Sequence, residues 1–192
     1  GGGKVDAFDQ SFAAKYNGGV LPVQLYSDGT IPIVKGGPPP VRVWYKVNTT
    51  YDASLTKLTY PYSKDGVTIK TSTVKAHPDF AAKLGPALAE ITQNGGGVYI
   101  HDLGGGIYAR NVTDGFRMSH HAWALALDMN TGGGPYQGAL AGTGPGDWGW
   151  GTKWDLLART VTVQGVVKPW TSAHQGFYDK VVQPMWKQGI GW

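Results

Sequence analysis

The sequence predicts an α+β domain in which an antiparallel sheet is combined with a few helices, Gly/Trp-rich loops and a small β-rich N-terminal region. Three observations predict this class. Short runs of β-branched and aromatic residues alternate with turn signals. Residues 78–93 have apolar side chains at helical spacing. The chain has 30 Gly but also 8 Trp, 10 Tyr and 5 Phe, which is typical of a folded, loop-rich domain rather than a disordered one.

The N-terminal region is predicted to span residues 1–70. A short helix is expected near residues 6–16. Turn signals at 27–30 and 64–66 separate the β-like runs that follow, because Asp-Gly pairs favour tight turns. These predicted strands are 20–26, 31–35, 41–47, 55–60 and 67–73.

The second region is predicted to span residues 71–192 and to begin with the clearest helix, 78–93. Pro78 suits the first helical position, and the Asn94-Gly95 pair ends the pattern. A Gly- and Trp-rich loop is expected at 131–153. The other predicted elements are strands at 98–103, 107–111, 123–129 and 160–167, and a helix at 176–187.

Composition and charge exclude several function classes. The chain has no cysteine, which excludes a disulfide framework, a Cys-ligated metal and a cysteine nucleophile. Its net charge of +4 comes from scattered basic residues, so we expect no nucleic-acid partner, although mild attraction to an anionic bacterial wall fits. No apolar run approaches the roughly 20 residues of a membrane span, and no signal-peptide pattern is present. The oligomeric state stays open.

The segment 116–130 has the pattern most suggestive of chemistry. It places an imidazole, His121, at a turn and a carboxylate, Asp128, at the end of an apolar run. The residues between them are small enough for the backbone to approach closely at three positions, Ala122, Ala124 and Ala126. A neutral imidazole and a carboxylate are a good pair of zinc ligands.

This pattern resembles a known motif. The run Ser119-x-His121-x-x-Ala124-x-Ala126-x-Asp128 resembles the Ser-x-His-x-x-Gly-x-Ala-x-Asp motif of the M15 metallopeptidases. That family comprises zinc D-alanyl-D-alanine carboxypeptidases and dipeptidases, and phage endolysins that cut peptidoglycan peptides. The resemblance covers roughly residues 74–192. Ala124 replaces the usual glycine, and we expect this replacement to be conservative.

The resemblance implies roles for four residues. His121 and Asp128 would be the first two zinc ligands. Arg110 would bind the substrate carboxylate or polarise the scissile carbonyl, and Ser119 would support the site through hydrogen bonds. Zinc would lower the pKa of its water to about 7 and polarise the amide.

Other residues of the proposed cleft have two interpretations each. His120 either contacts the substrate or is a solvated turn residue, and the second is the more common situation. Arg117 is either a second substrate arginine or a surface charge. Trp148, Trp150 and Trp154 either form an aromatic platform for sugar rings or a peptide, or pack their loop onto the core.

The third zinc ligand and the general base are open. The family closes its site with an acid-x-x-His pattern, in which the acid takes the proton of the water. In one interpretation His174 is the ligand, but Thr171 stands where the acid should be, so Asp155 and Asp179 become the substitute acids. Glu90, the single glutamate, lies on the 78–93 helix.

In the other interpretation, residues 177–192 resemble the family's late helix. The acid-x-x-His pattern then lies beyond Trp192, and His174 has no role in the site.

The sequence therefore predicts zinc-dependent hydrolysis of peptide bonds in peptidoglycan stem peptides. The expected location is extracellular: periplasmic, at the cell wall, or on a phage. The alternatives are a cell-wall or carbohydrate-binding module without catalysis, and a virion structural component on the same fold.

Overall fold

The computed structural model describes residues 7–25, 45–107, 120–130, 152–163 and 165–191. These residues form five short α-helices and nine short strands, which confirms the predicted α+β class. The helices are α1 (Ala7–Asn17), α2 (Thr49–Ala53), α3 (Pro78–Gln93), α4 (Ser172–Phe177) and α5 (Gln183–Lys187). The strands are β1 (Val23–Leu25), β2 (Tyr45–Val47), β3 (Thr56–Tyr62), β4 (Lys70–Ala76), β5 (Leu103–Gly104), β6 (Asp128–Met129), β7 (Thr152–Asp155), β8 (Thr160–Val163) and β9 (Val166–Pro169).

The described strands pair into four small sheets. Three of them have two strands each, β1–β2, β3–β4 and β5–β6, and the fourth has the order β7–β8–β9. The pairs β1–β2, β5–β6, β7–β8 and β8–β9 are antiparallel. Each sheet is small, so packing of side chains has to supply most of the stability.

The chain forms two compact units, each made of several segments of the chain. Unit 1 contains the described residues up to Thr56, together with Lys75–Pro78 and the described part of 105–127. Unit 2 contains 57–74, 79–104 and the described residues from Asp128 onward. The proposed zinc motif therefore has His121 in unit 1 and Asp128 in unit 2.

Unit 1 is built around Trp123. The fully buried residues Tyr51 and Trp123 pack with α1, and the Tyr51 hydroxyl donates a 2.7 Å hydrogen bond to the Trp123 carbonyl. We call the rings here the Trp123 cluster: Phe12, Tyr16, Tyr51, His77 and Trp123, with neighbouring centroids 5.2–6.1 Å apart. Tilted and edge-on contacts of this kind stabilise an aromatic core beyond the area that they bury.

Unit 2 is built around α3 and the C-terminal helices. The helix predicted at 78–93 is confirmed as α3, and it buries the apolar residues Ala81, Leu84, Ala87, Leu88 and Ile91. We call the second group of rings the Trp154 cluster: Trp154, Trp170, His174, Phe177 and Tyr178, with neighbouring centroids 5.1–6.0 Å apart. Trp154 and Phe177 are buried.

Two predicted strands are largely turns instead. The prediction at 98–103 is wrong for most of its length, because Gly96–Tyr99 is a 3-10 turn and only Leu103–Gly104 is a strand. Gly95 has φ +76° and the Asn94 carboxamide oxygen accepts from Gly96 N at 2.8 Å, so the chain turns before a strand can start. The prediction at 123–129 fails similarly, since only Asp128–Met129 is a strand.

The predicted strand at 160–167 is a hairpin. Gly165 has φ +81° and separates β8 from β9, which pair through Val163 and Val166. The first two residues of β7, Thr152 and Lys153, lie in the predicted 131–153 loop. The predicted strand 31–35 lies outside the described residues, as do residues 108–111 of the predicted strand 107–111.

The C-terminal helix begins at Ser172, four residues before the predicted start, and contains a π-helical segment, Tyr178–Val182. Pro184 explains why the ladder is interrupted. It has no N–H, so the Lys180 carbonyl loses its usual α-helical donor. The Asn94 side-chain amide donates to this carbonyl at 3.0 Å instead.

Candidate functional site

The proposed motif forms a turn followed by a left-handed residue. His120–Trp123 is a 3-10 turn, and Leu125 N donates to the His120 carbonyl at 3.1 Å. Ala124 then has φ +55°. Its carbonyl accepts from the backbone N of His77 at 2.9 Å. This contact ties the motif to the residue that precedes α3, within unit 1.

The backbone at Ala124 bears on the comparison with the M15 motif. A positive φ is favourable for glycine but costs another L-residue about 1 kcal/mol. Ala124 occupies the position at which the motif has glycine. The expectation that alanine is a conservative replacement is therefore wrong for the backbone, although the position itself has the conformation that glycine favours.

A buried asparagine fixes the strand that contains Asp128. Asn130 is fully buried with φ +58°, and its side-chain oxygen accepts from His101 N at 2.6 Å. Its side-chain nitrogen donates to the Tyr99 carbonyl at 2.9 Å, and its backbone N donates to the Asp102 carbonyl at 3.0 Å. Asp128 pairs with Gly104 in the adjoining ladder and is exposed.

Asn130 and its partners were not predicted as site residues. Next to them, His101 Nδ1 lies 3.0 Å from an Asp102 carboxylate oxygen. The adjacent His-Asp pair in the sequence is a signal for such a contact, but many adjacent pairs point to opposite faces. A fully buried asparagine has no distinct sequence signal.

The predicted zinc ligands lie in different local surroundings. His121 is half-buried, and its backbone carbonyl accepts from Ala124 N at 3.3 Å. Within the described ranges, no group of three or more His, Asp or Glu side chains is arranged to hold a metal ion. The assignments of His121 and Asp128 as ligands stay predictions.

His174 has a helix-capping arrangement. Thr171 is the N-cap of α4, and its hydroxyl accepts from His174 N at 3.3 Å. In return, His174 Nδ1 accepts from Thr171 N at 3.1 Å and lies 2.8 Å from the Thr171 hydroxyl. This is a capping box in which histidine replaces the usual Glu or Gln at the third helical position.

The cap has a consequence for zinc binding by His174. Because Nδ1 accepts a hydrogen bond from an N–H, the proton of the neutral ring is on Nε2. A zinc ligand needs an unprotonated nitrogen, and a ligating histidine normally donates from its other nitrogen. In this orientation His174 does not fit a zinc ion, and its role as the third ligand stays a prediction that the capping geometry argues against.

The two substitute acids, Asp155 and Asp179, and the single glutamate, Glu90, are engaged in local contacts. One Asp155 carboxylate oxygen accepts from Leu157 N at 3.0 Å and Ala158 N at 2.8 Å, which caps the turn between β7 and β8. Asp179 accepts from the Gln175 side chain at 2.9 Å. Glu90 forms a 2.7 Å ion pair with Lys187. These contacts favour structural roles for all three acids.

Of the remaining predicted site residues, the structure describes His120 and Trp154. His120 is exposed and stacks on the Phe12 ring, with centroids 5.6 Å apart and planes at 14°, which agrees with a turn residue held by packing. Trp154 is buried in unit 2, so it is a core residue rather than part of an open platform. The others lie outside the described residues: Arg110, Arg117, Ser119, Trp148 and Trp150.

Comparison with known proteins gives no family for the chain. No protein-family model, curated protein or solved structure matches it. Among the described helices, none is both long enough and apolar enough to cross a membrane. A function for this chain therefore has to be inferred from the motif and from the local geometry around it.

Proposed function

We propose that the chain is a zinc-dependent hydrolase of peptidoglycan stem peptides that acts at a bacterial cell wall and is related to the M15 metallopeptidases. The observation that best supports this is the left-handed backbone of Ala124 between His121 and Asp128. The motif has glycine at this position, and glycine is the residue for which such a backbone is favourable. The residue spacing of the motif and the backbone conformation of Ala124 therefore agree, although side-chain chemistry alone does not constrain this position.

The donor set partly fits zinc. The His121 imidazole and the Asp128 carboxylate are both ordinary zinc ligands, whereas His174 in its capping orientation is not. Bound zinc would supply an activated water and polarise the scissile carbonyl. Arg110 would orient the peptide through its terminal carboxylate, because a guanidinium binds a carboxylate through two parallel hydrogen bonds.

Two adjacent histidines provide a matched test. We expect the purified chain, supplied with zinc, to hydrolyse a peptide that ends in D-alanyl-D-alanine, and a chelator to abolish the reaction. His121→Ala should lose zinc and activity together. His120→Ala should retain both, because His120 is exposed and stacks on Phe12. Equal losses in the two variants, or hydrolysis that survives the chelator, would contradict the proposal.

A second candidate function is wall binding without hydrolysis. The capping role of His174 and the turn-capping role of Asp155 favour it, because both side chains are already used in the fold. This candidate predicts that the chain sediments with insoluble peptidoglycan and binds zinc without turnover. Release of peptide fragments from the same peptidoglycan would exclude it.

Binding to bare glycan strands is the weaker variant of this candidate. It would depend on the three tryptophans of the proposed platform, Trp148, Trp150 and Trp154, of which Trp154 is buried. Retention on peptide-free glycan would support it, and retention only on peptide-bearing wall would exclude it.

A further inference from the structure

The turn between β7 and β8 contains an arginine in an unusual conformation. Arg159 has φ +54°, a left-handed backbone that turns of this kind normally reserve for Gly or Asn. Strand β8, which begins at Thr160, holds one side of the turn, and the Asp155 cap holds the other side. Strain of this kind persists where surrounding contacts fix it, and such positions are enriched at binding sites.

Two aromatic rings hold the Arg159 side chain. Its guanidinium carbon lies 5.0 Å from the centroid of the Trp170 ring and 5.3 Å from that of Tyr178. The two ring centroids are 5.4 Å apart, with planes inclined at 50°. The guanidinium therefore lies in the wedge between the rings, where cation–π attraction restricts its motion.

The rings are themselves anchored. The Trp170 indole donates to the Thr160 carbonyl at 2.9 Å, and Trp170 N donates to the Arg159 carbonyl at 2.8 Å. Trp154 packs edge-on against Trp170. The wedge is thus formed by two members of the Trp154 cluster, Trp170 and Tyr178, rather than by a chance contact between surface side chains.

Polar contacts fix the orientation of the guanidinium plane. One Arg159 terminal nitrogen donates to the Gln175 side-chain oxygen at 3.1 Å. The Gln175 nitrogen in turn donates to Asp179 at 2.9 Å. The partner of Arg159 is therefore a neutral amide. In the described part of unit 2, the ion pairs join Glu90 to Lys187 and His101 to Asp102, and neither includes Arg159.

We propose that Arg159 is a binding site for a carboxylate ligand. Arg159 is an exposed residue, and a planar fork that is already oriented loses little conformational freedom when it binds a carboxylate through two hydrogen bonds. Preorganisation of this kind raises affinity because the ordering has been achieved in the free protein. The site does not depend on zinc or on the motif at 119–128.

The surroundings indicate the kind of carboxylate. Leu157, two residues earlier in the same turn, is 98% exposed. An exposed apolar side chain in the same turn as a cation suits a carboxylate that has a small apolar group beside it, as at the C-terminus of an alanine peptide. A sugar acid has the same charged group but a polar ring, so the two sources can be separated by experiment.

The test uses the whole chain and four probes: acetyl-D-alanyl-D-alanine, its amide, glucuronic acid and inorganic phosphate. Binding is followed by the Arg159 Nε–H and Trp170 indole N–H signals in NMR spectra. We expect the free-acid peptide to shift both signals and its amide to bind at least roughly tenfold more weakly. Equal binding of acid and amide would overturn the proposal. Tighter binding of glucuronic acid would keep the carboxylate site but assign it to sugar acids.

Variants of the chain distinguish binding at Arg159 from non-specific attraction of the ligand to positive charge. Arg159→Gly removes the guanidinium and suits the left-handed backbone, so the protein should stay folded and bind the peptide about tenfold more weakly. Arg159→Lys, which retains the charge without the planar fork, should lie between this variant and the unmodified chain. Lys168→Gln removes one exposed charge on β9 and should bind normally.

Three results would overturn the proposal. In the first, Lys168→Gln weakens binding as much as Arg159→Gly does. In the second, no carboxylate probe shifts the Arg159 signal. In the third, inorganic phosphate binds as tightly as the peptide, which means an adventitious ion only. Because none of these measurements involves zinc or hydrolysis, their failure is distinct from failure of the proposed function.

Discussion

Each of the two units encloses a histidine among aromatic rings, and the hydrogen bond that holds the ring differs between them: one ring donates and the other accepts. His77 in the Trp123 cluster and His174 in the Trp154 cluster are equally buried, at 6% exposure. His77 Nε2 lies 3.1 Å from the Tyr16 carbonyl, and because a carbonyl only accepts, that nitrogen is protonated. His174 Nδ1 instead accepts from Thr171 N.

The difference shows what determines the chemistry of a buried histidine. Both rings pack against aromatic neighbours and both have the proton of the neutral ring on Nε2, yet they differ in the backbone group that they contact: His77 donates from Nε2 to a carbonyl, whereas His174 accepts at Nδ1 from an N–H. For His174 this group is the N-terminus of its own helix, so the ring acts as a cap. Burial and aromatic packing therefore do not identify a ligand, whereas the hydrogen-bond partner of each nitrogen does.

The largest expected effect is at the left-handed residue beside the Trp123 cluster. Ala124→Val should lower the free energy of unfolding by about 3 kcal/mol, because a β-branched residue is strongly disfavoured at positive φ and Ala124 is buried. Chemical denaturation measures this change. Ala124→Gly is the control and should stay within about 0.5 kcal/mol, since relief of strain offsets the lost methyl group. A tolerated valine would show that φ at this position is not constrained.

The next effect tests the cap in the Trp154 cluster. His174→Ala should lower the free energy of unfolding by about 2 kcal/mol, through loss of the cap and of ring packing. His174→Gln should lose less, because a Gln oxygen can also accept from Thr171 N. We expect zinc content to be unchanged in the Gln variant. Loss of zinc with intact stability would reverse the interpretation and make His174 a ligand.

A smaller effect is expected where the C-terminal helix packs against the 3-10 turn of unit 2. A Cβ atom on Gly176 would collide with the Tyr99 ring. Gly176→Ala should therefore destabilise by about 1–2 kcal/mol, even after the gain in helix propensity. Gly191 provides the matched control, since a Cβ there meets open space. Equal melting temperatures for the two alanine variants would refute the close packing.

The smallest effect lies in a turn outside both clusters. Asp65 accepts from Val67 N, Thr68 N and the Ser63 hydroxyl at 2.7–2.9 Å, and these bonds hold the pKa of its carboxyl well below the usual value. Because the folded-state pKa is depressed, the stabilisation is complete above the unfolded-state pKa of about 3.9 and is lost as pH falls below it toward the folded-state pKa. Carboxyl NMR should show Asp65 still ionised at about pH 3. Titration near the ordinary value would contradict these contacts.

The sequence predicted the elements that depend on local pattern. The helix α3 follows from apolar spacing with Pro78 at its start, and the turn at Lys64–Gly66 follows from its Asp-Gly pair. The turn at Ala124 was not predictable, because its carbonyl bonds with His77, far away in the chain. The same holds for Asn94, which supplies the donor that Pro184 lacks.

For the candidate site, residue types were easier to predict than their partners. The His121 and Asp128 pattern identifies two zinc-ligand types but cannot show what each side chain contacts. His174 was a reasonable third ligand by type, and only the bond from Thr171 N reveals its capping role. Arg159 has no signal in the sequence, because neither its φ nor its aromatic neighbours have a contiguous sequence pattern.

The zinc content of two acid variants shows whether Asp128 is a zinc ligand. Asp128→Asn removes the proposed ligand, and Asp155→Asn is the matched control in an exposed turn. After saturation with zinc and removal of excess, the unmodified chain and the Asp155 variant should retain about one zinc ion per chain, and the Asp128 variant should retain almost none. An Asp128→Asn protein that keeps as much zinc as the unmodified chain would contradict the account.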